Sequence, residues 1–535
     1  MIVRQNVENF WTEISNFIKN KMSLAKRIAF GVGVSWFSRI VTISASLFLI
    51  PLMFHYLGKE ELGLWFLLSG SQGMLGLLGM GIAPIISRRI ALAKGKSGIE
   101  AEVKLSDESK QEIGDLTSIA NTLLKIIGLF AFLVSSIVGY FFISQLVIVE
   151  VSRQTVILSW IILCLGYSIS VWVEYLNCLL MGFGYVGFNN LILTFMSLGT
   201  TVINIVVVIL GGGLLELSIV LVITNLIQRS LLIIFIRKYK PHLLKFKGQW
   251  NTDTAKSLVK PSLDYWFKSL GTYTILRSDQ YFISTLIGVS AIASYNATYQ
   301  LVSNLRTLAV SLSQSSIPFI SQMWKSGEIE YVHKIVEKVC LSALLIVSIG
   351  SSFLLVSGRS FIELWIGKDS FIGYGILIVF CIMIFFDTQN ACLIECARAT
   401  GKDKYGFMSM IAGFLNITLT LILIKPLGLL GVCLATLISL MLTENWYALY
   451  EPLARLKITL GEYVKKITLP IVAIFILNYT ISFLINLSLS LSSWNSQWIS
   501  IVLTILSSLL VFLFMAYQLV LDKAQKNTVF RRCFF

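Results

Sequence analysis

Charged residues are the scarcest class in this 535-residue chain. Only 13% of its residues are Asp, Glu, Lys or Arg, about half of the roughly 25% found in an ordinary soluble protein. So few charges cannot cover the surface of a water-soluble chain of this length, and 56% of the residues are hydrophobic. The composition therefore excludes a soluble enzyme, a nucleic-acid-binding factor and a secreted disulfide scaffold.

The sequence also lacks the motifs of nucleotide and metal sites. It contains no G-x-x-x-x-G-K-[ST] loop, its three histidines lie far apart, and no Cys/His cluster has zinc spacing. Seven of the eight cysteines fall in apolar segments and are interpreted as packed thiols. We therefore predict no cofactor and no metal.

Apolar runs of about 20 residues recur along the chain, each long enough to cross a hydrocarbon core of about 30 Å. They predict an all-α, polytopic membrane protein with about fourteen transmembrane helices. The predicted spans are 28–53, 62–86, 119–143, 155–181, 190–210, 216–236, 261–287, 292–320, 335–356, 373–397, 406–424, 428–449, 467–487 and 498–521.

Basic residues test this map, because cytoplasmic loops are enriched in Lys and Arg. With the N-terminus in the cytoplasm, 31 of the 43 basic residues fall in cytoplasmic segments and five in outward ones. The remaining seven lie inside the spans. The net charge of +15 is thus mostly a topology signal, and both termini are predicted to be cytoplasmic. The polar start of the chain does not resemble a cleavable signal peptide.

Short similarities between the two halves predict an internal repeat. Tyr56-Leu57-Gly58 is matched by Leu286-Ile287-Gly288, each at the outer end of the first helix of its half. Two six-helix lobes in the same orientation follow, with a substrate path between them. The predicted units are a cytoplasmic segment 1–22, an N-lobe 23–240, a basic cytoplasmic linker 241–260, a C-lobe 261–454, and 455–535, which holds helices 13 and 14 and a basic cytoplasmic tail.

Basic side chains near the centre of a span are costly and usually face a partner or a water-filled cavity. Arg39 and Arg306 are central in helices one and eight, and Arg277 lies in the outer half of helix seven. Lys268 lies on the same helix. Because a guanidinium matches phosphate bidentately, these residues are candidates for binding an anion. The alternative is that Arg277 pairs with Asp279 or Asp387 and only ties helices together.

The spacing of polar residues on predicted helix eight indicates that this helix lines the substrate path. Tyr299, Ser303 and Arg306 follow one another at helical intervals and form one polar stripe on an otherwise apolar helix. Tyr299 and Ser303 therefore join the candidate cavity residues. Among the acids, Asp387, Glu174 and Asp279 are candidates for carrying a coupling ion, and a structural ion pair is an equal alternative.

Three stretches resemble the polysaccharide flippases of the multidrug/oligosaccharidyl-lipid/polysaccharide exporter superfamily. They are 56–65 (YLGKEELGLW), 361–367 (FIELWIG), and Gly401-Lys402 followed by Asn416-Ile417 and 425–436 (KPLGLLGVCLAT). The resemblance covers roughly residues 23–450. Many of these flippases are described with twelve helices, so it leaves the role of 456–535 open.

The resemblance implies a transporter rather than an enzyme. Its substrate would be an undecaprenyl-diphosphate-linked oligosaccharide, such as an O-antigen repeat unit for lipopolysaccharide. The protein would flip it to the outer leaflet of the bacterial inner membrane by alternating access, with proton or sodium coupling as an option. Its expected partners are this lipid-linked oligosaccharide, membrane lipid and other polysaccharide assembly proteins, and no nucleic acid. The alternatives are a multidrug or cation antiporter of the same superfamily and a membrane glycan polymerase or transferase.

Overall fold

The computed structural model describes residues 24–79, 81–96, 105–183, 185–239, 241, 248–398, 400, 406–490 and 497–520. Within these ranges the chain is helical and contains no β-strand, which confirms the all-α prediction. The first part contains α1 (Leu24–Tyr56), α2 (Lys59–Leu78), α3 (Ile82–Gly95), α4 (Asp107–Gln145), α5 (Arg153–Gly182), α6 (Val186–Ile209) and α7 (Leu214–Tyr239).

The second part contains α8 (Thr252–Leu286), α9 (Ser290–Ser326), α10 (Ile329–Ile366), α11 (Tyr374–Arg398), α12 (Gly406–Leu427), α13 (Leu429–Leu442) and α14 (Glu444–Leu456). The C-terminal part contains α15 (Leu460–Tyr463), a π-helical turn at Val464–Thr468, α16 (Leu469–Ser490) and α17 (Gln497–Leu519). The N-terminal segment 1–22 and the tail beyond 520, both assigned to the cytoplasm by the sequence, lie outside the described residues.

Eleven helical segments in the described part of the chain are long and apolar enough to cross a membrane. They correspond to eleven of the fourteen predicted spans. The other three, 62–86, 261–287 and 292–320, are also helical, but α2 and α3 are separated by residues 79–81. The helices α8 and α9 carry many polar side chains, and several of those side chains face a cavity described below. A polytopic membrane protein is confirmed.

The two halves use the same helix pairings. In the first half α1 packs on α6, α4 on α5, and α5 on α7. In the second half α8 packs on α12, α10 on α11, and α11 on α13. If α2 and α3 are counted as one interrupted helix, and α13 and α14 as another, each half has six helices. The paired helices then have the same order numbers in both halves. This is the pattern expected of a duplicated six-helix unit, and the two lobes with their boundaries stay a prediction.

Polar residues begin several helices where the sequence changes from loop to apolar run. The Ser106 hydroxyl accepts the backbone N–H of Ser109 at 3.2 Å, and the Ser152 hydroxyl accepts that of Thr155 at 3.2 Å. The Asn251 side chain accepts the N–H groups of two residues in the first turn of α8. These caps satisfy donors that a helix start leaves without a partner.

The motif at 56–65 ties together one end of the first half. The buried Glu60 carboxylate accepts the backbone N–H groups of Val149, Glu150 and Val151, with nitrogen–oxygen distances of 2.9 to 3.3 Å. Glu61 accepts the N–H of Leu214 at 2.7 Å. The α1–α2, α4–α5 and α6–α7 connections thus meet at this end, which the charge pattern assigns to the outer side. We call it the predicted outer end.

The C-terminal helices α16 and α17 pack on α10 and on each other. The buried Asn478 side chain of α16 donates to the Ser352 hydroxyl at 2.6 Å and to the Ile349 carbonyl at 3.4 Å, both on α10. It also contacts the Ser508 hydroxyl of α17 at 3.2 Å. One amide therefore joins three helices, and the pair covers one face of the second half.

Candidate functional site

The second half encloses a polar cavity of about 260 Å³. The described lining residues all come from that half, and α8, α9, α11, α12, α13 and α14 each contribute some of them. The polar and charged lining residues are Asp279, Gln280, Tyr295, Asn296, Tyr299, Arg306, Asp387, Asn390, Glu395, Arg398, Ser409, Thr436, Glu444 and Asn445. This composition explains why α8 and α9 are more polar than the other membrane helices.

Arg306 and Asp387 form a two-point ion pair across this cavity. The guanidinium Nε lies 2.6 Å from Asp387 Oδ2, and Nη2 donates to Oδ1 at 3.2 Å. Both side chains are partly buried, with 32% and 27% of their surface exposed. Bidentate geometry of this kind is the strongest that arginine makes with a carboxylate. The pair links α9 to α11 and neutralises most of the charge of Arg306.

Asp279 lies at a second polar position in the cavity wall. Its carboxylate accepts the phenolic O–H of Tyr295 at 2.7 Å and is contacted by the Thr436 hydroxyl at 3.4 Å. Beside it the Gln280 amide donates to the Asn296 side-chain oxygen at 2.9 Å. Among the described side chains no cation pairs with Asp279, and its partners are neutral hydroxyl groups.

Among the described residues that line the cavity, acidic groups outnumber basic ones. Asp279, Asp387, Glu395 and Glu444 contribute four carboxyl groups, whereas Arg306 and Arg398 contribute two guanidinium groups. Arg398 pairs with Glu395 at 2.8 Å, as Arg306 does with Asp387. Asp279 has no cationic partner among the described side chains, and Glu444 accepts a hydrogen bond from the Ser409 hydroxyl at 3.1 Å. An excess of carboxyl groups among the described lining residues favours a cation over an anion.

Arg39 occupies a different place, at the contact between the two halves. Its guanidinium on α1 donates to the Thr307 carbonyl at 3.2 Å and to the Gln314 side-chain oxygen at 2.7 Å, both on α9. Both partners are neutral. Arg39 therefore bridges the halves without a carboxylate partner among the described residues.

Glu174 belongs to a separate cluster in the first half. Its carboxylate pairs with Arg229 of α7 at 3.1 Å and accepts a hydrogen bond from the Asn177 side chain at 2.9 Å. Arg229 also donates to the Ser170 hydroxyl at 2.9 Å. Arg229 thus links α7 to α5 through Glu174 and Ser170.

The structure brings together four of the predicted site residues: Tyr299, Arg306, Asp279 and Asp387 line one cavity. Ser303 is half-buried on α9, and its hydroxyl donates to the Gln300 carbonyl at 3.2 Å. Lys268 and Arg277 belong to α8, and their side chains lie outside the described residues. Arg39, Ser303 and Glu174 are not among the lining residues.

Sequence reasoning did not assign several cavity residues to the site. Arg398 was counted as a loop cation, although its spacing of three from Glu395 was a signal for a helical ion pair. Glu444 and Asn445 begin α14 after a break at Thr443, and no sequence pattern placed them at a cavity. Hydropathy gives no sign of such residues because they lie where two short helices meet.

Comparison with known proteins assigns this chain to a protein family. The model for the family described as polysaccharide biosynthesis protein matches residues 29–324. The sequence is also 23% identical over 236 residues to EpsK of Bacillus subtilis (strain 168), described as an uncharacterized membrane protein. That alignment spans 44% of this chain and 46% of EpsK, so the match covers less than half of the relative's length.

Two solved structures share the fold at low sequence identity. A structure of the lipid II flippase MurJ in an inward closed conformation has a TM-score of 0.68 and 16% identity, covering 91% of this chain and 98% of that one. An inward-facing multidrug resistance MATE family transporter has a TM-score of 0.61 and 14% identity, covering 82% and 96%. At these identities the likeness concerns the fold alone.

Proposed function

Because this chain belongs to the polysaccharide biosynthesis protein family, we propose that it is a flippase for a lipid-linked oligosaccharide. It moves an undecaprenyl-diphosphate-linked repeat unit of O-antigen or another surface polysaccharide from the cytoplasmic to the outer leaflet. The protein lies in the bacterial inner membrane with both termini in the cytoplasm. The two halves move so that the substrate path opens alternately to the cytoplasmic side and to the outer side. Other polysaccharide assembly proteins are its partners in this proposal.

The observation that carries the proposal is the family match over residues 29–324. That range includes most of α1 and nearly all of α9, which pack against each other at the contact between the halves. The fold shared with a lipid II flippase over 91% of the chain is consistent with a lipid-linked cargo. A path between two similar halves is one general architecture of transporters.

Arg39 is the described residue that best suits the diphosphate. Its hydrogen-bond partners Thr307 and Gln314 are neutral, so its positive charge is not cancelled by a nearby carboxylate. Guanidinium groups bind phosphate oxygens in pairs and stay charged in a low-dielectric environment. Arg306 suits this role less well because Asp387 already holds its guanidinium. Arg277 and Lys268 remain predicted contributors.

The cavity of the second half suits the coupling ion. Among the described side chains Asp279 has neutral hydroxyl partners, and the described lining residues carry four carboxyl groups against two guanidinium groups. A proton or a sodium ion entering this cavity would compensate that charge. Asp387 acts there through its ion pair with Arg306. Glu174, in the first half, remains a candidate for binding the coupling ion.

The central experiment measures the leaflet distribution of lipid-linked oligosaccharide in cells that lack the protein. We expect the glycan to accumulate on the cytoplasmic leaflet and to return to the outer leaflet when the wild-type chain is supplied. An unchanged distribution in the deletion strain, with no other flippase expressed, contradicts the proposal.

Arg39 is tested in the same assay. Arg39→Gln removes the charge and should lower the transfer rate at least about tenfold, the scale of one charge-assisted hydrogen-bond pair. Arg39→Lys keeps the charge but not the two-point geometry, so its transfer rate should lie between those of the wild type and Arg39→Gln. Arg359→Gln is the matched control, because Arg359 is exposed and pairs only with Glu363 of its own helix. Equal transfer by all three variants at equal protein levels removes Arg39 from the role.

A cation or drug antiporter is the second candidate, and the acidic lining of the cavity favours it. The discriminating measurement is efflux of a cationic dye from cells or proteoliposomes. Dye efflux that is lost in Asp279→Asn and kept in Asp253→Asn, an exposed position at the start of α8, would support the antiporter. Normal dye retention together with a defect in glycan transfer would support the flippase.

A further inference from the structure

Pro51 leaves a gap in the hydrogen-bond ladder of α1. It lies inside the helix, five residues before the end at Tyr56. Proline has no backbone N–H, so the carbonyl of Leu47, four residues earlier, does not receive the donor that a regular helix supplies. An acceptor left open in this way within a membrane needs a partner from elsewhere.

Trp365 supplies that partner from the other half of the molecule. Its indole Nε1–H donates to the Leu47 carbonyl oxygen at 2.7 Å, although the two residues are 318 positions apart. Trp365 belongs to the last turn of α10, within the 361–367 motif. The bond thus joins α1 of the first half to α10 of the second half at the predicted outer end.

The bond lies beside a small apolar cluster that also spans both halves. Ile50 of α1 packs with Ala297 of α9 and with Ile362 and Ile366 of α10, and all four are buried. Phe54, Leu301, Trp365 and Phe371 pack against this cluster from its edges. Leu47 and Trp365 are both half-buried beside this cluster, and the indole is the donor that satisfies the Leu47 carbonyl while the halves are in contact.

We propose that Trp365 is a positioning residue that holds the predicted outer end closed by donating to the carbonyl exposed by Pro51. The inference rests on the proposed alternating-access function. When the halves separate at this end, neither half can satisfy the bond by itself, and water must replace the indole. The hydrogen bond therefore biases the equilibrium toward the outward-closed state.

The reporter for this equilibrium is a cysteine at Ala297, which is fully buried in the closed arrangement. It is introduced together with Cys533→Ser, and intact cells are treated with a membrane-impermeant maleimide. Trp365→Phe keeps an aromatic ring against the cluster but removes the donor. We expect the labelling rate to rise about two- to tenfold, as the loss of one net intramolecular hydrogen bond implies. Trp498→Phe, an exposed tryptophan of α17, should leave the rate unchanged.

Pro51→Ala separates this role from ordinary packing. Alanine restores the N–H that fills the acceptor of Leu47, so Trp365→Phe should have little further effect in the Pro51→Ala background. An effect of Trp365→Phe that is as large in that background as in the wild type overturns the proposal. So does a labelling rate that Trp365→Phe does not change. Size-exclusion profiles of the reporter protein and of its W365F, P51A and P51A/W365F variants establish that each is folded.

The labelling result does not depend on what the protein carries. If the deletion strain shows a normal leaflet distribution but Trp365→Phe raises labelling, the proposed cargo is wrong and the role of Trp365 stands. If glycan transfer depends on the protein but labelling does not respond to Trp365→Phe, the role of Trp365 is wrong and the flippase proposal stands.

Discussion

Arg306 and Asp387 depend on each other because both side chains are partly buried inside the second half. Arg306→Met leaves the carboxylate without its cation, and we expect the free energy of unfolding to fall by about 1–3 kcal/mol, the scale for a charged hydrogen-bonded group. The double variant R306M/D387L should recover most of the loss, since two apolar side chains replace a matched pair.

Thermal unfolding in detergent measures both effects. The control is Arg359→Met, whose partner Glu363 lies one turn away and whose side chain is 61% exposed; we expect a change below about 1 kcal/mol. A double variant that is less stable than R306M would contradict the interpretation that the unpaired carboxylate causes the loss.

The sequence predicted the positions of single charged residues better than their partners. The central position of Arg306 in its helix was visible from hydropathy, and Asp387 was considered as a partner for Arg277. The structure pairs Asp387 with Arg306, and the side chain of Arg277 lies outside the described residues. Helix periodicity gives the face on which a side chain lies, but the identity of its partner depends on how α9 and α11 pack.

At the scale of elements, Gly63 allows α2 to approach the start of α9 closely. A Cβ at this position would collide with the carbonyl of Val289, which belongs to the other half. Gly63→Ala should therefore force the two segments apart and destabilise the closed arrangement by about 1–3 kcal/mol. Thermal unfolding and labelling of the cysteine at Ala297 both report this change.

Gly199 provides the matched control on another helix. A Cβ there meets no atom within 4 Å, so Gly199→Ala should be neutral or should stabilise α6 by up to about 1 kcal/mol through helix propensity. Equal losses in the two variants would show that glycine itself, rather than the close approach at Gly63, determines the result.

The C-terminal helices α16 and α17 depend on Asn478. Asn478→Leu removes its hydrogen bonds to Ser352, Ile349 and Ser508. Interhelical bonds in membranes average about 0.6 kcal/mol each, so we expect a loss of about 1–2 kcal/mol and faster proteolysis between α14 and α16. Thr480→Val is the control, because its hydroxyl bonds only within its own helix. A proteolysis rate that does not differ between the two variants would contradict this prediction.

At the scale of the whole molecule, the charge pattern predicts the orientation in the membrane. Lys368 lies exposed in the connection after α10, at the predicted outer end, and Lys457 lies exposed after α14, at the opposite end. A cysteine at position 368 should react with an impermeant maleimide in intact cells. A cysteine at position 457 should react only after the cells are opened. The reverse pattern would invert the orientation and with it the direction of the proposed transfer.

The sequence by itself determined the class, the helical spans and the polar faces of this protein. Scarce charge and long apolar runs are properties of composition and spacing, so they are visible without a structure. The motif at 56–65 was also visible, although its role was not. The structure shows that its two glutamates bind backbone N–H groups of distant connections.

Only the tertiary structure decided where the charged residues act. It placed Arg306 and Asp279 in one polar cavity, Arg39 between the halves, and Trp365 against the carbonyl that Pro51 exposes. These contacts join residues tens to hundreds of positions apart. Local periodicity carries no information about such pairs, because they arise from the packing of one helix against another.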